Sequence, residues 1–371
     1  MRKKVGRAKL KFAPTALPFR AVTMNNNQLN RRTFAAGATW LAGSLAYAPS
    51  WAQPRLQKTN ISIAVADKAN FCHLPLTIAE QLGYFKAEGL EVQISDFAHA
   101  TDASQALVSG TIDLVSGSYE DIIEMQSRGQ KFQAFVLQGR APAIAMGVSL
   151  KAMPNYKAVA DLKGKRIGIS TPGSATHRMA QLILARAGLS AEMVSFVGIG
   201  GAARALAAFR AGQIDALCSM EPVLTTLEQK GEIRVIADTR TLKGTVSVFG
   251  GPMPTACLYA ALDFVQRNPA TVQALTHAMV HGLKWLQTAG PSDIIKTLPE
   301  AYLLGDRALY LAAFNKMREV ISTDGLIPED GPRTALRVLA RFDPVIKADK
   351  IDLAKTYTNE FARKAKERFK V

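Results

Sequence analysis

Gly110-Thr111-Ile112-Asp113 recurs later in the chain as Gly212-Gln213-Ile214-Asp215. Each copy follows an alanine- and leucine-rich stretch and precedes a short apolar run, a pattern typical of a helix that leads into a buried strand. The match extends upstream, because strand-like residues 61–65 and 166–170 are each followed by a turn, a helix and a Gly-Leu pair. The repeat therefore predicts two similar α/β lobes, and two lobes enclose one cleft.

The length and the charge distribution exclude some classes of protein. A chain of 371 residues is too long for one small core and suits two lobes. The formal net charge is +16, but residues 1–52 contain nine basic residues and no acid, which leaves +7 for the rest. Acids are mixed with the remaining Lys and Arg, and no basic stripe is interleaved with aromatic residues, which disfavours nucleic-acid binding.

The first 52 residues are typical of an export signal. Asn30-Arg31-Arg32-Thr33-Phe34 is a twin-arginine core, and the weakly apolar run 35–48 that follows is too short to span a bilayer. Small residues in Ser50-Trp51-Ala52 favour cleavage after Ala52. The alternative is a disordered basic tail with a chance Arg-Arg pair.

The mature protein is expected in the periplasm. A start at Met24 would give a signal of ordinary length, and residues 1–23 would then lie upstream of the true start. An odd number of cysteines permits at most one internal pair in an oxidising compartment, and burial as small apolar side chains is the favoured interpretation. These cysteines are Cys72, Cys218 and Cys257.

Polar and proline-containing residues separate the predicted lobes. Residues 132–137 and 143–150 are predicted to be further strands of lobe one, and 246–259 an extended return crossing. Two crossings between lobes make a hinge, and closure of a hinge around a ligand is a common use of such folds. The chain thus divides into residues 53–150 (first part of lobe one), 151–245 (lobe two) and 246–371 (hinge return and helical completion of lobe one).

The loops after the strands are the candidate binding loops, because ligands of α/β sheets lie beyond the carboxyl ends of the strands. Residues 170–177 join a strand to a helix, offer several hydroxyl groups and contain Gly173, so the free N–H groups there favour an anion. Simple N-capping by Ser174 or Thr176 is the alternative. Glu221 is either a hydrogen-bonding group of the cleft or part of a latch between the lobes.

No cofactor or metal is expected. Gly198-x-Gly200-x-x-Ala203 resembles a dinucleotide-binding turn, but the equivalent turn of lobe one has no glycine and no suitably placed acid follows. His277 and His281 are four residues apart but lack the glutamate of a zinc-binding H-E-x-x-H helix.

Three further stretches, together with the repeated phrase, carry a resemblance to a known family. They are Leu74-Pro75-Leu76-Thr77-Ile78-Ala79-Glu80-Gln81-Leu82-Gly83-Tyr84-Phe85, Asp161-Leu162-Lys163-Gly164-Lys165-Arg166-Ile167-Gly168 and Glu221-Pro222. With them the chain resembles the periplasmic substrate-binding proteins of ABC importers for nitrate, taurine, aliphatic sulfonates and the thiamine pyrimidine precursor. These motifs belong to the scaffold and do not name the ligand.

The resemblance implies an α/β, two-lobed type II periplasmic binding protein fold with a two-crossing hinge and a helical C-terminal part. It implies that the cleft captures a small, anionic organic solute (a sulfonate, a nitrate-like ion or an aromatic carboxylate), and Phe71 and Tyr119 favour an organic solute. By position, the ligand-binding residues would be Asn70, Phe71, Cys72, His73, Ser118, Tyr119, Thr171, Gly173, Ser174, Thr176 and Glu221.

The resemblance also implies partners rather than catalysis. A monomeric binding protein would deliver its solute to an inner-membrane ABC permease and its ATPase. The alternatives are binding or synthesis of the thiamine pyrimidine, whose enzyme branch carries a cysteine-rich iron motif that this chain lacks, and a sensor that acts through a partner.

Overall fold

The computed structural model describes residues 55–97, 99–303 and 305–371. The predicted twin-arginine core and the cleavage site after Ala52 lie outside these described residues. Within them, no helix is long and apolar enough to cross a membrane.

Ten strands and a series of helices alternate along the described chain. The strands are β1 Asn60–Ala66, β2 Glu91–Phe97, β3 Leu114–Ser118, β4 Phe132–Leu137, β5 Ile144–Ser149, β6 Arg166–Ile169, β7 Ser195–Gly198, β8 Ala216–Met220, β9 Ile233–Asp238 and β10 Ala256–Ala261. The α-helices are α1 Leu74–Gln81, α2 Tyr84–Ala87, α3 Ala100–Val108, α4 Tyr119–Ser127, α5 Ala175–Arg186, α6 Ala202–Arg210, α7 Val223–Gln229, α8 Leu242–Phe249, α9 Leu262–Arg267, α10 Pro269–Thr288, α11 Pro291–Thr297, α12 Arg307–Met317, α13 Gly331–Phe342 and α14 Glu360–Phe369. Short 3₁₀ helices occur at Phe71–His73, Val159–Leu162, Ala191–Met193, Glu300–Leu303, Arg318–Val320, Ala348–Lys350 and Leu353–Lys355.

The strands form two five-stranded sheets with matching topology. The first sheet has the order β2-β1-β3-β10-β4, and the second has the order β7-β6-β8-β5-β9. In each sheet three parallel strands are followed by one antiparallel neighbour, which is β10 in the first sheet and β5 in the second. The chain therefore crosses between the sheets twice, once between β4 and β5 and once between β9 and β10.

Strand β5 corrects one expectation from the sequence. Residues 143–150 were expected in lobe one, but β5 pairs with β8 and β9 and so belongs to the second sheet. Every residue of β5 is buried, and a central strand that is apolar on both faces carries no sign of which neighbours it takes. The first crossing thus lies in residues 138–143, and we now propose the boundary between the lobes there.

Helix α8 corrects a second expectation. Residues 246–259 were expected to be extended, but the helix Leu242–Phe249 occupies the start of that segment. The Thr241 side chain accepts a hydrogen bond from the Gly244 amide and caps the helix, and Gly250 ends it in the left-handed conformation at φ 76°. The β-branched valines of α8 favour a strand locally, but the two caps favour the helix.

The repeated Gly-x-Ile-Asp phrase has the same structural role in both sheets. The Asp113 carboxylate accepts a hydrogen bond from the Ser62 amide at 3.0 Å, and Asp215 accepts one from the Arg166 amide at 2.9 Å. The amide of each aspartate donates in turn to the carbonyl of the same partner residue. Each copy of the phrase therefore fastens the strand that follows it, β3 or β8, to the strand that begins its repeat, β1 or β6.

Three clusters of buried apolar side chains hold the layers together. The first cluster packs α1, α10 and α12 on the first sheet and includes Ile63 and Phe314. The central cluster contains residues of both sheets, such as Val115 and Ile169, together with α13. The third cluster packs α6 and α7 on the second sheet and includes Leu217. The two sheets are therefore joined through the central cluster, whereas the first and third clusters are separate.

Candidate functional site

A cavity of about 180 Å³ lies where loops of the two sheets meet. Its lining comes from the carboxyl ends of β1, β6, β7 and β8, the ends at which α/β sheets bind ligands. Larger concavities of about 620 Å³ and about 500 Å³ lie elsewhere, beside α8 and at the amino ends of β1 and β2. The 180 Å³ cavity is lined by Asp67, Ala69, Asn70, Phe71, Ser170, Gly200, Gly201, Ala202, Ser219, Met220, Glu221, Pro222, Val223, Tyr302 and Tyr310.

The wall next to the first sheet is aromatic with one amide. The Phe71 ring stacks on the Tyr310 ring with centroids 4.6 Å apart. The Asn70 side-chain oxygen accepts from the Cys72 amide at 3.2 Å, which caps the 3₁₀ turn. The amide nitrogen of Asn70 lies 3.5 Å from the Met220 sulfur, so Asn70 contacts the second sheet's loop across the cavity.

The wall next to the second sheet contains hydroxyl groups and the start of a helix. Ser170 and Ser219 lie at the ends of β6 and β8. Helix α6 begins at Ala202 with Gly201 at its N-cap, and no side chain caps it. The first-turn N–H groups of α6 therefore lack a side-chain acceptor at a helix end that carries partial positive charge. A small anion beside residues 200–202 would satisfy them.

Glu221 contributes to the lining, but its carboxylate is already occupied. One of its oxygens accepts from the Thr225 amide at 3.0 Å, and the other pairs with the Arg240 guanidinium. Arg240 is 3% exposed and also pairs with Glu228 and Asp238. Burial alone would lower the pKa of Arg240, but these hydrogen bonds outweigh it and raise that pKa. Glu221 is thus part of an ion-pair network beneath the cavity.

Four other predicted residues of the first sheet lie behind the cavity lining. The Tyr119 side chain is fully buried and its hydroxyl contacts that of Thr356. His73 is buried 2.9 Å from the Ser116 hydroxyl, and burial lowers its pKa to about 4. The hydroxyl of Ser118 caps α4, and burial raises the pKa of the Cys72 thiol to about 12. These groups organise the loops instead of facing the cavity.

The loop after β6 uses its hydroxyl groups internally. Thr176 is 1% exposed, and its hydroxyl accepts from the Ser170 amide at 2.9 Å and lies 2.8 Å from the Ser174 hydroxyl. Ser174 caps α5 by accepting from the His177 amide at 3.3 Å. Thr171 and Gly173 are exposed and do not line the cavity. Capping therefore accounts for Ser174 and Thr176, and only Ser170 of this loop reaches the cavity.

The chain matches a known family over most of its described length. Residues 70–291, more than half of the chain, match the family described as NMT1/THI5 like. The chain belongs to this family.

Solved structures of similar proteins confirm the fold of this NMT1/THI5-like protein. A protein of Bordetella bronchiseptica RB50 is 51% identical, with a TM-score of 0.78 over 85% of this chain and 100% of that one. The periplasmic aliphatic sulphonate binding protein SsuA of Escherichia coli is 20% identical, with a TM-score of 0.64 over 80% and 91% of the two chains. The periplasmic nitrate-binding protein NrtA of Synechocystis PCC 6803 is 15% identical, with a TM-score of 0.61 over 85% and 90%. The predicted α/β periplasmic binding protein fold is confirmed.

Several lining residues of this NMT1/THI5-like protein escaped the sequence analysis. Tyr302 and Tyr310 come from the helical C-terminal part, which carries no copy of the repeat. Asp67 follows β1 with a left-handed φ of 58°, and burial and the charge of Asp96 raise its pKa. Aspartate tolerates a left-handed backbone better than most residues, so an aspartate directly after a strand was a signal available in the sequence.

The described lining of the cavity contains the acidic side chains of Asp67 and Glu221. None of the described lining residues is Lys, Arg or His. All three cysteines are free thiols, with Cys218 and Cys257 buried. In the described part of the chain, no group of three or more His, Cys, Asp and Glu side chains could hold a metal ion.

Proposed function

We propose that this protein is the solute-binding component of an ABC importer and captures a small organic solute between its two sheets. The observation that carries the proposal is the cavity at the carboxyl ends of strands from both sheets, in a chain of the NMT1/THI5-like family. The names of SsuA and NrtA, which share the fold, support the same role. Delivery to an inner-membrane permease and its ATPase follows, with the protein acting as a monomer in the periplasm after twin-arginine export and cleavage after Ala52.

The lining favours a solute with an anionic end and an apolar or aromatic body. The first-turn N–H groups of α6, which no side chain caps, donate hydrogen bonds to the anionic end, as helix N-termini commonly do. The stacked rings of Phe71 and Tyr310 contact the body. Because the cavity of about 180 Å³ is smaller than the ~300–1,000 Å³ of most ligand pockets, the solute is small.

A second candidate ligand is a thiamine pyrimidine precursor, again as bound solute. The Asp67 carboxylate offers an acceptor for an amino group, and the rings of Phe71 and Tyr310 offer a stacking surface. An ionised Asp67 carboxylate repels a sulfonate or nitrate, so the two candidates differ in how they respond to that residue.

A ligand screen tests the proposal. The mature protein is heated with nitrate, ethanesulfonate, benzoate or 4-amino-5-hydroxymethyl-2-methylpyrimidine, each in large excess. We expect one class to raise the melting temperature, because a ligand that binds only the native state stabilises it by mass action. If none of the four classes stabilises the protein, solute capture of the proposed chemistry is contradicted.

Two matched pairs of substitutions then locate the site. Asn70→Ala with Ser219→Ala removes polar groups of the cavity lining, and we expect the Kd in a calorimetric titration to rise at least about tenfold, near 1.4 kcal/mol. Thr171→Ala with Ser174→Ala removes hydroxyls that do not line the cavity and should change the Kd by less than about threefold. The opposite ranking would move the site to the loop after β6.

A further inference from the structure

One ion pair joins the helices that flank the cavity from opposite sheets. Lys316 lies on α12, which packs in the first cluster, and Glu228 lies on α7, which packs in the third cluster. The Lys316 ammonium nitrogen is 2.6 Å from a carboxylate oxygen of Glu228. The two helices also contact each other directly, but the first and third clusters share no residue, so this pair adds a charged contact where no apolar cluster spans both helices.

Both helices also carry a wall of the cavity. Tyr310 on α12 and Val223 on α7 are lining residues. Lys316 follows Tyr310 by six residues, which is about 9 Å along a helix, and Glu228 follows Val223 by five. The ion pair therefore lies within two helical turns of the facing walls, on the same two rigid elements.

Glu228 is bound by Arg240 as well as by Lys316. Arg240 donates to the two carboxylate oxygens of Glu228 at 2.8 Å and 3.2 Å. Arg240 lies in the second crossing, two residues after the end of β9, and also pairs with Glu221 beneath the cavity. The series Glu221, Arg240, Glu228 and Lys316 therefore links one cavity wall, the crossing and the opposite helix.

The ion pairs on the other side of the molecule have a different setting. Arg178 of α5 pairs with Glu120 at 3.1 Å and Glu124 at 3.3 Å, both on α4. These helices pack in the central cluster, which already joins the two sheets. On the side of α7 and α12, where the cavity and the Lys316–Glu228 pair lie, no apolar cluster of the described residues contains side chains of both helices.

We propose that Lys316 and Glu228 are positioning residues for solute capture, and that their ion pair holds α12 against α7 so that the cavity walls face each other. The solute itself rests on the proposed function, but the pair acts equally in the empty protein. A solute that prefers the closed arrangement binds more tightly when that arrangement is more populated. By increasing the closed population, the ion pair therefore raises the apparent affinity.

The test measures the spread of distances between α3 of the first sheet and α6 of the second sheet in the ligand-free protein. Spin labels are placed through Asp102→Cys in the first turn of α3 and Ala203→Cys in the first turn of α6, both exposed, with Cys72→Ser in every variant. Lys316→Met keeps most of the aliphatic side chain and removes the charge, while Glu228 keeps its bonds to Arg240. We expect the ratio of short to long distances to fall about two- to fivefold, the range of partly exposed ion pairs.

Two further variants separate positioning from general stability. Lys364→Met breaks an exposed pair with Glu360 within α14 and should leave the distances unchanged. Lys316→Arg restores an ion pair with Glu228 and should restore the wild-type distances. Both methionine variants should unfold at closely similar temperatures.

The proposal is overturned if Lys316→Met gives the wild-type distances, or if Lys364→Met shifts them as much. It is also overturned if Lys316→Arg fails to restore them. Because no solute is added, a failed ligand screen would contradict the proposed function and leave this measurement decisive for the pair.

Discussion

At the residue scale, Asp121 shows how burial shifts the pKa of a carboxylate at the start of a helix. This partly buried carboxylate accepts from the Ser118 amide at 3.2 Å at the start of α4. Burial, and then the charges of Glu124 and Glu120, raise its pKa to about 7. Between about pH 4 and pH 7 the native state therefore binds more protons than the unfolded state, so the free energy of unfolding falls as the pH rises through this window.

Asp121→Asn should remove this dependence on pH. The asparagine oxygen can still accept from the Ser118 amide, but nothing at this position titrates. We expect the free energy of unfolding, measured in urea at pH 4 and pH 8, to fall less in the variant than in the wild type, by on the order of 2 kcal/mol. Equal losses in the two proteins would show that the Asp121 pKa is not raised.

The residue scale is also where sequence reasoning was weakest. Ser174, Thr176 and His73 were predicted to contact the ligand because of their hydroxyl and imidazole groups. Each of these groups instead forms a hydrogen bond with another group of the protein. A hydroxyl or imidazole before a helix serves as a cap or as a ligand contact, and the local sequence is the same in both cases. Asn70 and Phe71 reach the cavity because the loop after β1 turns them toward the opposite sheet.

At the element scale, the repeated aspartate explains why the phrase occurs twice. The side chains of Asp113 and Asp215 are 16% and 14% exposed, and each accepts from the backbone of the strand that begins its repeat, β1 or β6. The glycine of each phrase has a positive φ, 75° for Gly110 and 68° for Gly212, and ends the preceding helix. Helix end, turn and strand clamp thus form one unit, present once in each sheet.

Replacing either aspartate should destabilise the protein by a similar amount. Asp113→Ala and Asp215→Ala each leave a strand amide without its charged acceptor, which costs about 1–3 kcal/mol. Equilibrium unfolding in urea measures the effect. Asp263→Ala is the control, because the Asp263 side chain is 64% exposed and pairs with Arg267 of the same helix, so a change below about 0.5 kcal/mol is expected. A loss no larger than that of the control would refute the clamp.

Whether a segment forms a helix or a strand was predictable where the period of its apolar residues was clear. Which strands pair with each other was not predictable in the same way. The strands of the two repeats and the long helix α10 follow from their patterns. The partners of β5 do not, since a strand that is buried along its whole length and apolar except for Ser149 fits either sheet. Helix α8 was missed because its caps outweigh the strand preference of its valines.

At the scale of the whole molecule, the central cluster makes the two sheets depend on each other. Helix α13 packs on α4, and Arg337 of α13 donates to the Phe249 carbonyl of α8 at 2.7 Å. Leu339 of α13 is fully buried within this cluster. A substitution that leaves a void in this cluster should therefore destabilise both sheets.

Leu339→Ala should lower the free energy of unfolding by about 2–5 kcal/mol, as other buried leucine truncations do. Native-state hydrogen exchange should then quicken in both sheets, at Val115 of β3 and at Ile169 of β6. Leu227→Ala is the matched control, since Leu227 is equally buried but lies in the third cluster. Under conditions that favour local opening, its effect should begin in the second sheet. Faster exchange in one sheet only for Leu339→Ala would contradict the coupling.

The two-lobed architecture was predictable from the sequence, because the repeated phrase and the glycines that end helices are local patterns with local physical causes. It also placed the candidate site at the strand ends, since that follows from topology alone. Which side chains face the cavity and which build its loops became clear from the folded arrangement alone. Tyr302 and Tyr310 enter from the distant helical part, and Glu221 is engaged by Arg240. These are long-range contacts, and their energy depends on burial and on partners that no stretch of neighbouring residues contains.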